Sequence, residues 1–227
     1  MTPVDITVVA AAEEAAQLVA ERLAEQARDG GSIVLTGGST PGRAYEIAAG
    51  LEPDWSRVEL WWGDERCVPP DDRRSNYRMA KAALLDRLER EPAAVHRIEG
   101  ELGRDAGTAE YRLELTDVGT FDLVLLGLGP DGHVASLFPN FPTLDVTSRD
   151  VVGSEAGHEP FVDRISLTLP RLCNTRELLF LVAGEDKADA VARALAGGPS
   201  RQTPGSLARS AEGTTRAILD RAAAAKL

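Results

Sequence analysis

Cysteine is scarce in this chain of 227 residues: there are two, Cys67 and Cys173, far apart and in no C-x-x-C pair. That excludes a disulfide framework and a thiolate cluster, and it suits small core residues in a reducing compartment. Histidine is nearly as rare, with His96, His133 and His158 only. No H-x-x-x-H spacing or Cys/His cluster supplies the ligands of a metal site. Positive charge is short as well: 25 Lys and Arg face 36 Asp and Glu, for a formal net charge of −11. Nucleic acids and anionic membranes need clustered cations, so neither is expected as a partner, whereas a small anion needs only a few local cations and backbone amides. No apolar run is long enough to span a bilayer. The opening MTPVDITVVAAAEEAAQLVA carries acids inside its apolar stretch and no basic n-region, so it does not read as a signal peptide, and the expected location is the cytoplasm.

What is present is ordinary globular material, 43% hydrophobic, without repeats, low-complexity tracts or a clear linker. Strand and helix signals alternate. VDITVV, SIVLTGG, RVELWW, FDLVLLG, RISLTL and ELLFLVAG read as strands. The amphipathic AAEEAAQLVAERLAEQARDGG reads as a helix closed by Gly30 and Gly31. STPGRAYEIAAGL reads as a second helix, with Thr40 as its N-cap and Pro41 at its first position. GDERCVPPDDRRS reads as a loop before the helix NYRMAKAALLDRL. DAGTAEYRLEL, DKADAVARALAGG and AILDRAAAAKL complete the helices. The expectation is a three-layer, Rossmann-like α/β fold: a mostly parallel sheet with helices on both faces, residues 1–227 forming a single domain. Ligands of such sheets sit beyond the carboxyl ends of the strands, where LTGGSTPG, WWGDER and LLGLGPDGH fall.

Gly127, Gly129 and Gly132 have the G-x-G-x-x-G spacing of a dinucleotide-binding turn, but the context fails. Pro130 removes an amide, Asp131 puts a negative charge where a pyrophosphate would lie, and Pro139 and Pro142 cut short any following helix. In TGGSTPG, two glycines permit close approach of a ligand, Ser39 and Thr40 add hydroxyls, and the following helix aims free amides at the same spot. A phosphate cradle and a plain capped strand–helix turn fit this stretch equally well. A nucleophile elbow around Ser39 fails at Pro41. Asp64, Glu65 and Arg66 fit a solvated turn or a loop whose arginine meets an anion. Asp131, two residues before His133 in a glycine-rich turn, can orient the imidazole; the plainer reading is a histidine donating to a nearby carbonyl.

Taken together, LTGGSTPGRAYEIAA, WWGDERCVPPDDRRSNYRMAKAALLD, LLGLGPDGHVASLFPN and RISLTLPRLCNT…LVAGEDKADAV resemble the 6-phosphogluconolactonases, in the superfamily that includes glucosamine-6-phosphate deaminase. The resemblance covers nearly the whole chain in order. Val134 stands where Thr is usual, the segment before Ser75-Asn76 lacks a common His, and Ala217, expected in the last helix, replaces a frequent aromatic. The resemblance implies hydrolysis of 6-phospho-D-glucono-1,5-lactone without metal or cofactor, by a monomer or weak dimer. His133 would be the general base, Asp131 its orienting partner, and Arg66 a positioning or polarising cation. Gly37, Gly38, Ser39 and Thr40 would form the phosphate turn, with Lys187 and Arg164 as further anion contacts. Asp64 would hold the loop and orient Arg66. Two other readings stay in view. One is an aldose–ketose isomerase-deaminase, with Asp64 as a carbon-acid base and His133 assisting ring opening. The other is a non-catalytic sugar-phosphate sensor, which the lack of a basic patch or a DNA-binding segment disfavours.

Overall fold

The computed structural model of the chain describes residues 3–155 and 161–227. His158 lies outside the described residues. In chain order the elements are β1 (Val4–Val9), α1 (Ala12–Asp29), β2 (Gly31–Leu35), α2 (Ser39–Leu51), β3 (Val58–Trp62), β4 (Asp64–Arg66), α3 (Asn76–Ala83), β5 (Ala94–His96), α4 (Arg104–Glu114), β6 (Phe121–Leu126), β7 (Val151–Ser154), β8 (Arg164–Leu167), α5 (Leu169–Cys173), β9 (Thr175–Val182), α6 (Ala188–Val191) and β10 (Thr214–Asp220).

Seven strands form one parallel sheet in the order β1-β10-β9-β6-β2-β3-β5. Its central strands bury both faces, as FDLVLL in β6 shows with four consecutive buried residues from Leu123 to Leu126, which is why they read as unbroken apolar runs. Helix α1 meets the sheet through Ala16, Val19, Ala20, Leu23 and Ala27, one stripe at helical spacing. Glu13 and Glu14 sit in its first turn and Arg28 in its last, the polarity its dipole favours. It packs on α2 and on β9 and β10.

From β2 the chain steps outward through β3 to β5, and from β6 it steps the other way through β9 to β10. The winding therefore reverses between β2 and β6, and the connections leaving their carboxyl ends must diverge. That divergence opens a crevice, the usual ligand position in such sheets. The loops leaving it are TGGST and GLGPDGH.

Three features depart from the sequence expectation. First, Asp64–Arg66 is not loop but strand, pairing antiparallel with β8, which pairs in turn with β7. Three charged residues carry no apolar alternation by which a strand could be recognised. Second, AILD is not helical: Thr214–Asp220 is strand β10, inserted between β1 and β9 with parallel partners on both sides. Ala217 therefore lies on a strand and is fully buried. The alanine-rich tail has high helix propensity, but a slot offering ladder bonds on two sides overrides it. Third, α2 begins at Ser39 with Gly38 as N-cap, so Thr40 is not the cap and Pro41 is the third helical residue. Gly38 has φ of 113°, a turn open to glycine, and proline in a first turn loses no helical bond.

Candidate active site

Four loops at the carboxyl edge of the sheet enclose a cleft of about 470 Å³. Of the expected site residues, Gly37, Gly38, Ser39, Thr40, Arg66, His133, Arg164 and Lys187 all line it. Asp131 stands behind the His133 ring instead of on the wall.

The turn after β2 is shaped for close approach. A Cβ on Gly37 would lie 2.0 Å from Asn76 Oδ1, so only glycine fits against that side chain. Gly38 offers α2 no side-chain cap. The opening amides of an uncapped helix, with its dipole, form an anion site, and Ser39 and Thr40 add hydroxyls beside the cleft. Lys187, in the turn after β9, contributes an ammonium 3.5 Å from Asp186.

In the turn after β6, Asp131 Oδ1 accepts from His133 Nδ1 at 2.6 Å and from the His133 amide at 3.1 Å. The second bond shapes the turn that makes the first one short. His133 also packs against Phe138, with ring centroids 5.0 Å apart. A proton on Nδ1 shared with a carboxylate leaves Nε2 as the basic nitrogen. Of the three glycines, Gly129 makes room for this pair. A Cβ on Gly129 would meet His133 Nδ1 at 2.1 Å and Asp131 Oδ1 at 2.7 Å. Gly132 has φ of 98°, and a Cβ there would come within 2.8 Å of Thr203. Ala135, on the cleft wall, takes φ of 47°, a left-handed conformation uncommon for a residue with a side chain.

Strand β4 sorts its three charges by alternation. Asp64 and Arg66 face the cleft, whereas Glu65 turns away and is 2% exposed. Glu65 accepts four bonds: Oε1 from the amides of Arg66 and Asn76, Oε2 from the Tyr77 amide and the Ser75 hydroxyl, all at 2.7–2.8 Å. Burial pushes the Glu65 carboxyl up, and those four donors oppose the shift. It is the clasp between β4 and the start of α3. Asp64 accepts from Asn76 Nδ2 at 3.2 Å and from Ser136 Oγ at 2.6 Å. It does not orient Arg66, whose guanidinium donates to the Arg74 carbonyl; Asp64 and Arg66 project from the same strand, and their side chains are tied to different elements.

Arg164 lies opposite Arg66 across the β4–β8 pair. It is 3% exposed and sits 5.4 Å from the Phe138 ring centroid. Burial pulls its guanidinium below the usual value, and the Asp64 carboxylate offsets this. Two like charges opposite each other on antiparallel strands repel, an arrangement that an anion between them relieves. Arg43 and Arg74, by contrast, are engaged outside the cleft, with Glu13 and Glu46 and with Asp72 respectively. The sequence reading missed Asn76 and Ser136; Ser-Asn opening a helix signalled a cap, and nothing local signalled the reach of Ser136 to Asp64, 72 residues away. Among the described residues no group of three His, Cys, Asp or Glu side chains is placed to hold a metal ion, and no helix is long and apolar enough to cross a membrane.

Comparison with known proteins bears on the family and the fold. The family model described as glucosamine-6-phosphate isomerases/6-phosphogluconolactonase matches residues 7–217. A 6-phosphogluconolactonase of Streptomyces coelicolor is 43% identical over 94% of this chain and 88% of its own length. One from Mycobacterium leprae is 43% identical over 88% of this chain and 87% of its own length. The solved structure of 6-phosphogluconolactonase from Trypanosoma brucei superposes with a TM-score of 0.88, at 26% identity and complete coverage of both chains. A monomeric glucosamine-6-phosphate deaminase shares the fold, with a TM-score of 0.86 at 19% identity. The chain belongs to the glucosamine-6-phosphate isomerase/6-phosphogluconolactonase family.

Proposed function

We propose that this chain hydrolyses 6-phospho-D-glucono-1,5-lactone to 6-phosphogluconate. The observation that carries the reading is that the carboxylate-held imidazole of His133 and the uncapped start of α2 open on one cleft. The sugar phosphate has an anion at one end and an electrophilic carbonyl at the other.

The phosphate docks on Gly37–Thr40 and Lys187, which fixes C1 near His133 and converts a bimolecular attack into an oriented one. His133 Nε2 removes a proton from water as the water oxygen bonds to C1. The carbonyl electrons move to oxygen, and Arg66, assisted by Arg164, stabilises that oxyanion. Asp131 stabilises the imidazolium. The tetrahedral adduct collapses, the bond from C1 to the ring oxygen breaks, and the imidazolium returns its proton to that oxygen. The products are a free hydroxyl and a carboxylic acid, which ionises. An ester carbonyl is already electrophilic, so the chemistry needs a placed base and a charge-stabilising donor, each contributing about 10²-fold or more.

The same reading has residues 1–227 act as one domain, monomeric or weakly dimeric, without a nucleic-acid or membrane partner. It places the enzyme in a reducing cytoplasm, the setting that suits unpaired thiols such as Cys67 and Cys173. The test is a three-way assay on the purified chain: acid release from the lactone, ammonia release from glucosamine 6-phosphate, and thermal stabilisation by 6-phosphogluconate. Acid release alone, with stabilisation, is expected. Ammonia release transfers the assignment to the deaminase, and stabilisation without turnover makes the chain a sensor.

A further inference from the structure

We propose that Asp64 is the acceptor that reads a ring hydroxyl of the substrate, and that Ser136 and Asn76 are positioning residues that hold it for that task; this rests on the lactonase reading above. Asp64 lines the cleft, yet it is only 5% exposed. A carboxylate this deeply placed needs partners, and a cation is the usual one. Arg66, on the same face of the same strand, is the nearest candidate by sequence, but its guanidinium turns to the Arg74 carbonyl. Arg164, on the paired strand, feels the Asp64 charge at longer range, but no ion pair within 4.0 Å reaches Asp64 among the described residues. Its side-chain donors are two neutral groups, the Ser136 hydroxyl at 2.6 Å and the Asn76 amide at 3.2 Å.

Both donors are themselves locked. Ser136 is fully buried, and its amide donates to Ser166 Oγ, on the residue paired with Asp64 across β4 and β8. Ala135, immediately before it, takes a left-handed conformation. Asn76 is 2% exposed, donates also to the Asp64 carbonyl at 2.9 Å, and abuts Gly37 so closely that no side chain fits there. Asp64 thus stands where the phosphate turn, strand β4 and the turn bearing His133 converge.

An ionised carboxylate has about four lone-pair sites. Two are taken here, by neutral donors that fix its direction without cancelling its charge. Asp64 borders a cleft whose expected occupant carries hydroxyls at C2, C3 and C4. A charged acceptor meeting a hydroxyl in a poorly hydrated site makes one of the stronger hydrogen bonds. A ligand lacking that hydroxyl leaves an accepting site of the charged carboxylate unfilled, which is the stronger source of discrimination. The function assigned to Asp64 is therefore selection among polyol phosphates, separate from proton transfer to water.

The experiment compares kcat/KM for the phosphorylated lactone and for its 2-deoxy, 3-deoxy and 4-deoxy analogues in wild type, Asp64→Asn and Ser136→Ala. Wild type is expected to disfavour one analogue by about ten- to a hundredfold. Asp64→Asn should collapse that preference to within about threefold while leaving the other two ratios in place. Ser136→Ala, which keeps the carboxylate and frees its direction, should give an intermediate ratio and so provides the reading should Asp64→Asn fold poorly. A selectivity unchanged in both variants, or a wild type indifferent to all three analogues, overturns the proposal. A wild type inactive on the parent lactone overturns the lactonase reading instead, so the two failures are distinct.

Discussion

At position 129 a methyl group would strike both members of the His133–Asp131 pair. The middle glycine of the spacing that resembles a dinucleotide fingerprint is therefore the clearance a folded-back imidazole requires, whereas Gly132 abuts Thr203 and Gly127 has open space. The pair itself was legible because two residues in a tight turn must be near each other, whatever the rest of the chain does. The partners of Asp64 were not legible, since Ser136 reaches it only through the sheet. Two predictions belong to single side chains. Lys187→Ala removes a charge-assisted phosphate contact and should weaken product inhibition by 6-phosphogluconate by about 1.5–3 kcal/mol. Hydrolysis of the unphosphorylated lactone, measured in parallel, should change little; equal loss on both lactones would take Lys187 out of the phosphate site. The second concerns Cys67, whose thiol is pushed up to about 11, mainly by burial and further by the Asp163 carboxylate. The thiolate is the reactive form, so iodoacetamide should label Cys67 slowly at neutral pH and about tenfold faster per pH unit up to that value. The sign for stability follows: the unfolded thiol ionises earlier, so the contribution of the neutral thiol is complete below about 9 and is lost as pH rises toward about 11. Native labelling at pH 8 as fast as labelling in denaturant would contradict the burial.

Among elements, long apolar strands and the amphipathic α1 could be read in advance because their patterns are periodic and their burial is one-sided or complete. Strand β4 could not, because three residues hold no period, and β10 could not, because its identity depends on neighbours β1 and β9 that are distant in sequence. The joint between β4 and α3 rests on Glu65, which collects three donors at the helix start and a fourth, the Arg66 amide, from its own strand. Glu65→Ala strands those donors and should lower unfolding free energy by about 2–4 kcal/mol, read from the urea midpoint. It should also reduce activity, because α3 carries Asn76 and the loop before it carries the Arg74 carbonyl that holds Arg66. A variant as stable as wild type would show that the clasp is incidental. The turn bearing His133 has a comparable brace in the segment Ala192–Ala196 and the loop after it. Arg193 donates to the Pro130 carbonyl at 3.3 Å and to Thr203 Oγ1 at 3.2 Å, and the Gly205 amide donates to the Gly132 carbonyl at 2.9 Å.

For the whole molecule, the sheet class and the edge at which the cleft lies were expected from alternating strand and helix signals. The strand order, and with it the reversal between β2 and β6, came only from the structure, because no local pattern encodes which strands become neighbours. That reversal brings the glycine turn after β2 and the histidine turn after β6, some 90 residues apart in sequence, to the same crevice. The arrangement also reconciles a net charge of −11 with an anionic substrate: Arg66, Arg164 and Lys187 gather at the cleft, while surface arginines such as Arg43 are engaged by acids. The central claim is that His133 activates water inside that crevice. It is tested most directly by following acid release from freshly made lactone at constant pH, with spontaneous hydrolysis subtracted, for wild type and His133→Ala. The account predicts a fall in kcat of about 10²–10⁴-fold with KM within about threefold, since the lost interaction belongs to the transition state. A variant that keeps nearly full turnover would contradict it.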